Sequence, residues 1–259
     1  MAKLLLIDAL NLIRRIYAVD VDQQGVSEQQ IMQSCKARVH NACKKLLRRI
    51  EPTHAIAVFD GERSWRYHYY ANYKHSRKPM PEQLKQHLAL IAEGFQECGI
   101  TAFFPEQDEA DDIIATLASK ASHNKVPSVI VSTDKGFLPL SSENIEIYNY
   151  FSKSYTEHNE ILEKFSVPYH ALTELWALMG DKTNDIPGVK GIGKKTAIEL
   201  ISEFGQVEHA LNAPTLAPAT RRKLEEDLDN FILSKTLVSL QTDINLGFNL
   251  SQLRVIERK

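Results

Sequence analysis

Only three cysteines occur in 259 residues, and none belongs to a CxxC pair. An odd number at scattered positions (Cys35, Cys43 and Cys98) argues against a disulfide framework and fits a reduced intracellular compartment. A dominant sign of charge is missing too. The 31 Lys and Arg against 33 Asp and Glu leave a formal net charge of −2, so no global basic field announces a polyanionic partner. Long apolar runs are absent, which excludes a membrane-spanning helix. The opening MAKLLLIDAL is too short and too soon charged for a signal peptide. The expectation is a soluble, cytoplasmic chain with no membrane partner. No repeat or low-complexity segment is evident. What is present is ordinary globular composition, 43% hydrophobic and 25% charged, with length for one large domain or one medium and one small. The charge is unevenly spread: residues 27–98 carry twelve Lys and Arg against seven Asp and Glu.

Short apolar runs rich in β-formers fall at 3–8, 54–60, 100–104 and 127–133, with a weaker fifth, IEIYNYF, at 145–151 that reads as an edge strand. Helical patterns lie between them at 28–50, 82–97 and 110–122. This alternation predicts an α/β fold with a mostly parallel sheet covered on both faces. From Ser166 onward the strand signals stop. Amphipathic helices follow at 168–180, 194–204, 206–212, 218–228 and 229–240. The expected division is an α/β domain at 1–165 and a smaller all-helical one at 166–259.

The acids are placed unusually. In DEADDI (108–113) four carboxylates crowd into five residues, although two unit charges about 4 Å apart repel by roughly 4 kcal/mol at an effective dielectric near 20. Helix capping, with Asp108 as N-cap, accounts for one or two of them; the surplus points to a bound cation. Asp8 closes the first apolar run and Asp60 the second. Glu109, Asp111 and Asp112 open the helix after the third, and Asp134 follows the fourth. A lone Asp after a strand is usually a turn residue. Several together are another matter, because ligands of open α/β sheets bind beyond the carboxyl ends of the strands. Hard oxygen donors in that number suit Mg²⁺ or Mn²⁺ rather than zinc.

Two further stretches carry chemistry. GDKTNDIPGVKGIGKKTAIELI (180–201) half-matches a nucleotide-binding P-loop. However, Lys195 stands where Ser or Thr would hold Mg²⁺, and no strand precedes it, so no nucleotide cofactor is expected. Two helices joined by a glycine turn fit better. Gly191 and Gly193 let the backbone approach a phosphate, the next helix offers free N–H groups, and Lys190, Lys194 and Lys195 add attraction. Such a turn grips a nucleic-acid backbone without reading bases. RSWRYHYYANYKHSRKPMPEQL (63–84) interleaves aromatics with cations, as stacking on unpaired bases requires; alone it reads slightly better as a charged loop with packed tyrosines, and the acidic cluster and glycine turn shift the balance.

In order, LIDALNLIRR, AVFDGERSWR, NYKHSRKPMPEQL, DEADDIIATLA, VSTDKGFLPL and LMGDKTNDIPGVKGIGKKTA resemble the blocks of the 5′–3′ exonuclease/flap endonuclease family, from Leu4 to Phe204. The resemblance is greatest to the stand-alone bacterial members. It implies a PIN-like nuclease domain and a helix-hairpin-helix (H3TH) subdomain. It also implies Mg²⁺-dependent cleavage of 5′ flaps at single-strand/duplex DNA junctions in replication and repair, by a chain that acts as a monomer. The acidic cluster it implies is Asp8, Asp60, Glu109, Asp111, Asp112, Asp134 and Asp181. Asp111 contacts the metal directly, Asp111 and Asp112 serve catalysis, and Lys74 and Arg77 lie beside the scissile phosphate. A K⁺ ion is implied on the backbone carbonyls of Leu178, Met179, Pro187, Val189 and Ile192, with DNA touching Gly191, Ile192, Gly193, Lys194, Lys195 and Thr196. Two departures bear on a second metal. The family's DxD reads Asp134-Lys135-Gly136, and GDxxDN reads Gly180-Asp181-Lys182-Thr183-Asn184-Asp185. Asn184 keeps a neutral oxygen, and Asp185 could turn in. The rival reading is a DNA-junction binding protein that has lost catalysis. The stretch 210–259 resembles the family loosely and receives no site residue.

Overall fold

The computed structural model describes residues 2–21 and 26–256. Its centre is a six-stranded sheet in the order β3-β2-β1-β4-β5-β6. The strands are β1 (Leu4–Asp8), β2 (His54–Val58), β3 (Thr101–Phe103), β4 (Ser128–Val131), β5 (Ile145–Asn149) and β6 (Ser154–Tyr155). The first five are parallel and β6 is antiparallel to β5. The weak fifth run is therefore an interior strand; the two residues of β6 form the edge. All five residues of β1 are buried, and they alternate between two cores. Leu4 and Leu6 face one way with Ile56, Val58 and Ile130. Leu5 and Ile7 face the other with Ala57, Val129 and Val131. That is the period of two of a strand, in a sheet covered on both sides.

The face of Leu5 is covered by α1 (Ala9–Val21), α2 (Glu28–Ile50) and α5 (Leu88–Gln96). A capping box between Ser27 and Gln30 starts α2, and Glu51 in the left-handed region stops it. The helix expected at 82–97 is broken into α4 (Glu82–Gln86) and α5. At the break, His87 Nδ1 bonds the Gln83 carbonyl at 2.9 Å, the oxygen its own N–H would take in a continuous helix.

The face of Leu4 is covered by α6 (Ala110–His123), the 3₁₀ turn Lys135–Leu140 and the helical region. That region holds α8 (Leu172–Met179), α9 (Lys194–Phe204), α10 (Val207–Asn212), α11 (Pro218–Glu226) and α12 (Leu228–Val238). Leu175, Ile201 and Phe231 share one continuous core with Leu4 and Ile130. Beyond α12 the chain returns to the α/β layer. Phe248 meets Phe103 with ring centres 5.1 Å apart, and Val255 N–H donates to the Thr53 carbonyl at 3.0 Å.

Candidate active site

The carboxyl ends of β1, β2 and β4 and the first turn of α6 deliver Asp8, Asp60, Asp134, Glu109 and Asp111 to one open cavity of about 440 Å³. Small polar groups set Asp8 and Asp60 and the loop that carries Asp134. Asp8 Oδ1 accepts the Asn11 N–H at 3.1 Å, and its Oδ2 accepts the Ser132 hydroxyl at 2.8 Å. Ser132 Oγ in turn accepts the Asp134 N–H at 3.0 Å. Asp60 Oδ1 accepts the Ala110 N–H at 2.9 Å, so the cap of α6 comes from another strand. Asp108 is not the N-cap; Glu109 holds that position, without a side-chain cap bond. Close approach of the β2 end to this loop needs Gly61, where a Cβ would lie 2.9 Å from the Asp108 carbonyl oxygen.

Asp111 stands among Asp8, Asp60 and Asp134. Burial pushes its carboxyl well above the usual range, and Asp8, Asp134 and Asp60 push it the same way. Burial and Asp60 raise Asp8 likewise, to about 7. Among the described residues, no three acidic, His or Cys side chains are drawn together tightly enough to hold an ion as they stand; the carboxylates line an open space.

Asp112 does not join them, contrary to expectation. Its two oxygens accept from Arg66 Nη1 at 2.6 Å and Nη2 at 2.8 Å, from Trp65 Nε1 at 3.1 Å and from the Gln241 N–H at 2.9 Å. It is fully buried and turned to the core, so neither the metal nor the catalytic assignment fits its position. Arg66 also donates to Glu109 Oε2 and to the carbonyls of Leu237 and Ser239. It ties the stretch 63–84 to α6 and to the end of α12. That stretch is thus divided: Trp65, Arg66 and Tyr73 face inward, while Tyr67 and Tyr69 stay exposed.

Lys74 and Arg77 line the same cavity as Asp111. Lys74 Nζ donates to Glu109 Oε1 at 2.5 Å. Burial alone would lower this ammonium, but Glu109, Tyr73 and Asp111 outweigh it and hold it well above its ordinary value. Lys74 and Arg66 in turn overcome burial to hold Glu109 low. Glu109 therefore orients two cations. Lys74 has φ 53°, fixed by its N–H on the Asn184 carbonyl at 2.9 Å.

Asp181 stands in an adjoining recess with Asp111, Asp134, Gly136 and Asn184. It accepts from Thr183 N–H at 3.0 Å and Asn184 Nδ2 at 3.2 Å, and it pairs with Lys135 Nζ at 3.1 Å. Asp185 does not turn in: its carboxylate accepts from the Ser76 N–H at 2.7 Å and hydroxyl at 2.8 Å. In the glycine turn, Leu178 and Met179 press against Gly188, which Pro187 and Val189 flank; it has φ 68°, and a Cβ there would sit 2.3 Å from the Gly180 nitrogen. The Leu178 carbonyl accepts from Val189 N–H and the Val189 carbonyl from Ile192 N–H. Gly193 has open space beside it. It precedes Lys194, Lys195 and Thr196 at the start of α9, which has no side-chain cap.

Asn11, Arg14 and Arg15 also line the cavity and were not singled out from sequence. Their signal was the helical spacing behind Asp8. Arg14 has a buried Nε without a partner among the described residues.

A parallel sheet with acids gathered at its carboxyl edge, and a glycine turn opening a helix N-terminus, is the architecture of a metal-assisted nuclease class. The chain belongs to the 5′-3′ exonuclease family: residues 3–166 match its N-terminal resolvase-like domain and residues 167–259 its C-terminal SAM fold. It is 58% identical over 252 residues to Flap endonuclease Xni of Pseudoalteromonas translucida, covering 97% of this chain and 98% of that one. It is 36% identical to Flap endonuclease Xni of Vibrio cholerae, over 97% and 96% of the two chains. Among solved structures, the T5 5′-exonuclease with bound zinc superposes with a TM-score of 0.76 at 20% identity, covering 93% of this chain and 90% of that one.

Proposed function

We infer that the chain is a divalent-metal-dependent flap endonuclease, which hydrolyses DNA phosphodiesters where a 5′ single strand leaves a duplex. Asp111 carries the reading. A half-buried carboxylate ringed by Asp8, Asp60 and Asp134 is held against repulsion that a cation offsets, and it shares its cavity with Lys74, Arg77 and Arg14. The donor set is all oxygen, which fits Mg²⁺, with Mn²⁺ as substitute. Asp8, Asp60, Asp111 and Asp134 would hold the ion, with Asp181 extending the set, and the ion would supply Lewis acidity for hydrolysis. Lys74 and Arg77 receive the scissile phosphate, with Arg14 beside them. Glu109 aims Lys74, while Asp112 holds Arg66 and so the stretch between Trp65 and Arg77.

The division at 1–165 and 166–259 is retained as two functional parts, a PIN-like catalytic layer and an H3TH subdomain. The second grips duplex backbone through Gly191, Ile192, Gly193, Lys194, Lys195 and Thr196 at the free end of α9. The carbonyls of Leu178, Met179, Pro187, Val189 and Ile192 are the donors for K⁺; the approach of Gly188 to Gly180 leaves no room for a side chain there. The protein acts in the cytoplasm as a monomer. Among the described residues no helix is long and apolar enough to cross a membrane.

The test is a 5′-labelled flap duplex incubated with Mg²⁺, with Mg²⁺ plus K⁺, and with EDTA. Product near the junction that vanishes in EDTA is expected. Junction binding without product under Mg²⁺ or Mn²⁺ would favour the rival, a catalytically degenerate DNA-junction binding protein. Gly136 in place of an acid, and Lys135 paired with Asp181, speak for that rival.

A further inference from the structure

A second cavity, of about 480 Å³, opens between α2 and the β5–β6 hairpin. Lys45 and Arg49, one helical turn apart, and Lys153 on the hairpin supply its charge; half-buried Tyr150 and exposed Phe151 supply ring faces above the buried Tyr148, and no carboxylate lines it. Lys45, Arg49, Phe151 and Lys153 are exposed. The hairpin tip is held in shape, because the N–H groups of Phe151 and Ser152 both donate to Asn149 Oδ1, at 3.0 and 3.3 Å. Aromatic faces rimmed only by cations suit unpaired bases, which stack on the rings while phosphates meet the charges. A duplex would leave the rings unused.

The cavity is also connected to the carboxylates. Arg15 lines the first cavity, and its guanidinium carbon lies 5.3 Å from the Phe151 ring centre, a cation–π distance. Tyr148 and Leu46 belong to the core on the α2 face of the sheet, while α9 and the glycine turn pack on the opposite face. A strand whose duplex is gripped at α9 and which reacts beside Asp111 therefore leaves toward the α2 face. The charged, ring-lined cavity stands there.

We propose that this second cavity binds the unpaired 5′ strand of the substrate, the flap itself, as it leaves the carboxylate site past Arg15. The proposal rests on the flap-cleaving reading above. Its test measures binding, in EDTA, of duplexes carrying 5′ thymidylate flaps of 0, 5, 10 and 15 nucleotides. Wild-type affinity is expected to rise with flap length. The double variant Lys45→Glu/Arg49→Glu loses about tenfold or more on the longest flap and nothing on the flapless duplex. Its slope of log affinity against log salt falls by roughly 1.4, the loss of two single-strand phosphate contacts. Phe151→Ala weakens long-flap binding about tenfold through lost stacking. In Phe151→Trp, oligothymidylate quenches the new indole emission. Cleavage intact in Mg²⁺, with flap-length dependence and salt slope equal in wild type and double variant, overturns this inference alone. A protein that neither binds nor cuts flap DNA overturns it together with the functional reading.

Discussion

Arg66 and Asp112 meet face to face as a two-pronged, fully buried ion pair, with N···O distances of 2.6 and 2.8 Å. The aspartate comes from α6 and the arginine from the stretch that carries Lys74 and Arg77, so a structural pair holds two halves of the site together. Taking one partner away leaves an uncompensated buried charge, which costs about 3–5 kcal/mol. Arg66→Met should lower the free energy of unfolding in urea by that amount, and Asp112→Asn by less because an amide keeps part of the network. Both variants should retain the stabilisation that Mg²⁺ gives the wild type. An Asp112→Asn protein that keeps its stability but no longer responds to Mg²⁺ would return Asp112 to the metal site.

Asp111→Asn is expected to behave oppositely. It removes one of several repelling carboxylates, so the metal-free protein should gain on the order of 1 kcal/mol. It should also lose the Mg²⁺-dependent rise in Tm and all metal-dependent cleavage. Thermal melts with and without Mg²⁺, beside a flap-cleavage assay, report all three. Full activity in the variant would sink the metal assignment.

The raised carboxyls also fix a pH dependence. The Asp8 carboxyl rises from an ordinary 3.8 to about 7, mainly through burial and then Asp60, and Asp111 moves the same way. Between those values the folded state binds more protons than the unfolded one, so stability falls as pH rises from about 4 through 7. At about 1.4 kcal/mol per pKa unit, Asp8 contributes at most about 4 kcal/mol to that fall. Glu109, held low by Lys74 and Arg66, has the opposite sign, but its stability is lost only as pH drops below the usual carboxylate range. In EDTA the urea midpoint should therefore be lower at pH 8 than at pH 6. Saturating Mg²⁺ should restore more at pH 8, since the cation binds the charged form. A flat midpoint across that interval in EDTA would contradict the raised carboxyls.

The sheet and the strand-end acids were legible because both follow from chain periodicity: apolar runs give the strands, and a parallel sheet sends their carboxyl ends to one edge. What a side chain turns toward was not. Asp111 and Asp112 are adjacent and chemically identical, yet one faces the cavity and the other the core. The difference is set by Arg66, 46 residues away from Asp112. Asp185 offered an acid for the second site, and Ser76, brought near by the turn, took it. Arg14 was readable in principle, since it continues the helical face of Asp8 and Asn11. The return of the chain beyond α12 to the α/β layer had no local signal.

Lys135 bears on the second metal. Its ammonium lies 3.1 Å from Asp181 Oδ2 and 5.5 Å from the centre of the Trp176 ring, so a monovalent charge already stands beside the carboxylate a second ion would use. The next residue, Gly136, supplies no acid, although a Cβ there would meet only Asp134 Oδ1 at 3.2 Å and its Cγ at 3.8 Å. A carboxylate therefore fits after a small shift of one side chain. The lysine is partly exposed, and its pair with Asp181 contributes about 1 kcal/mol or less; an ion can displace it. Titration of the wild type with Mn²⁺ should show one well-held ion. Lys135→Ala should strengthen a weaker second site several-fold, and Lys135→Ala with Gly136→Asp should bring the stoichiometry to two. The double variant should then cut flap DNA at lower Mg²⁺ than the wild type. Two equally tight ions in the unmodified protein would show that neither Lys135 nor Gly136 limits the second site.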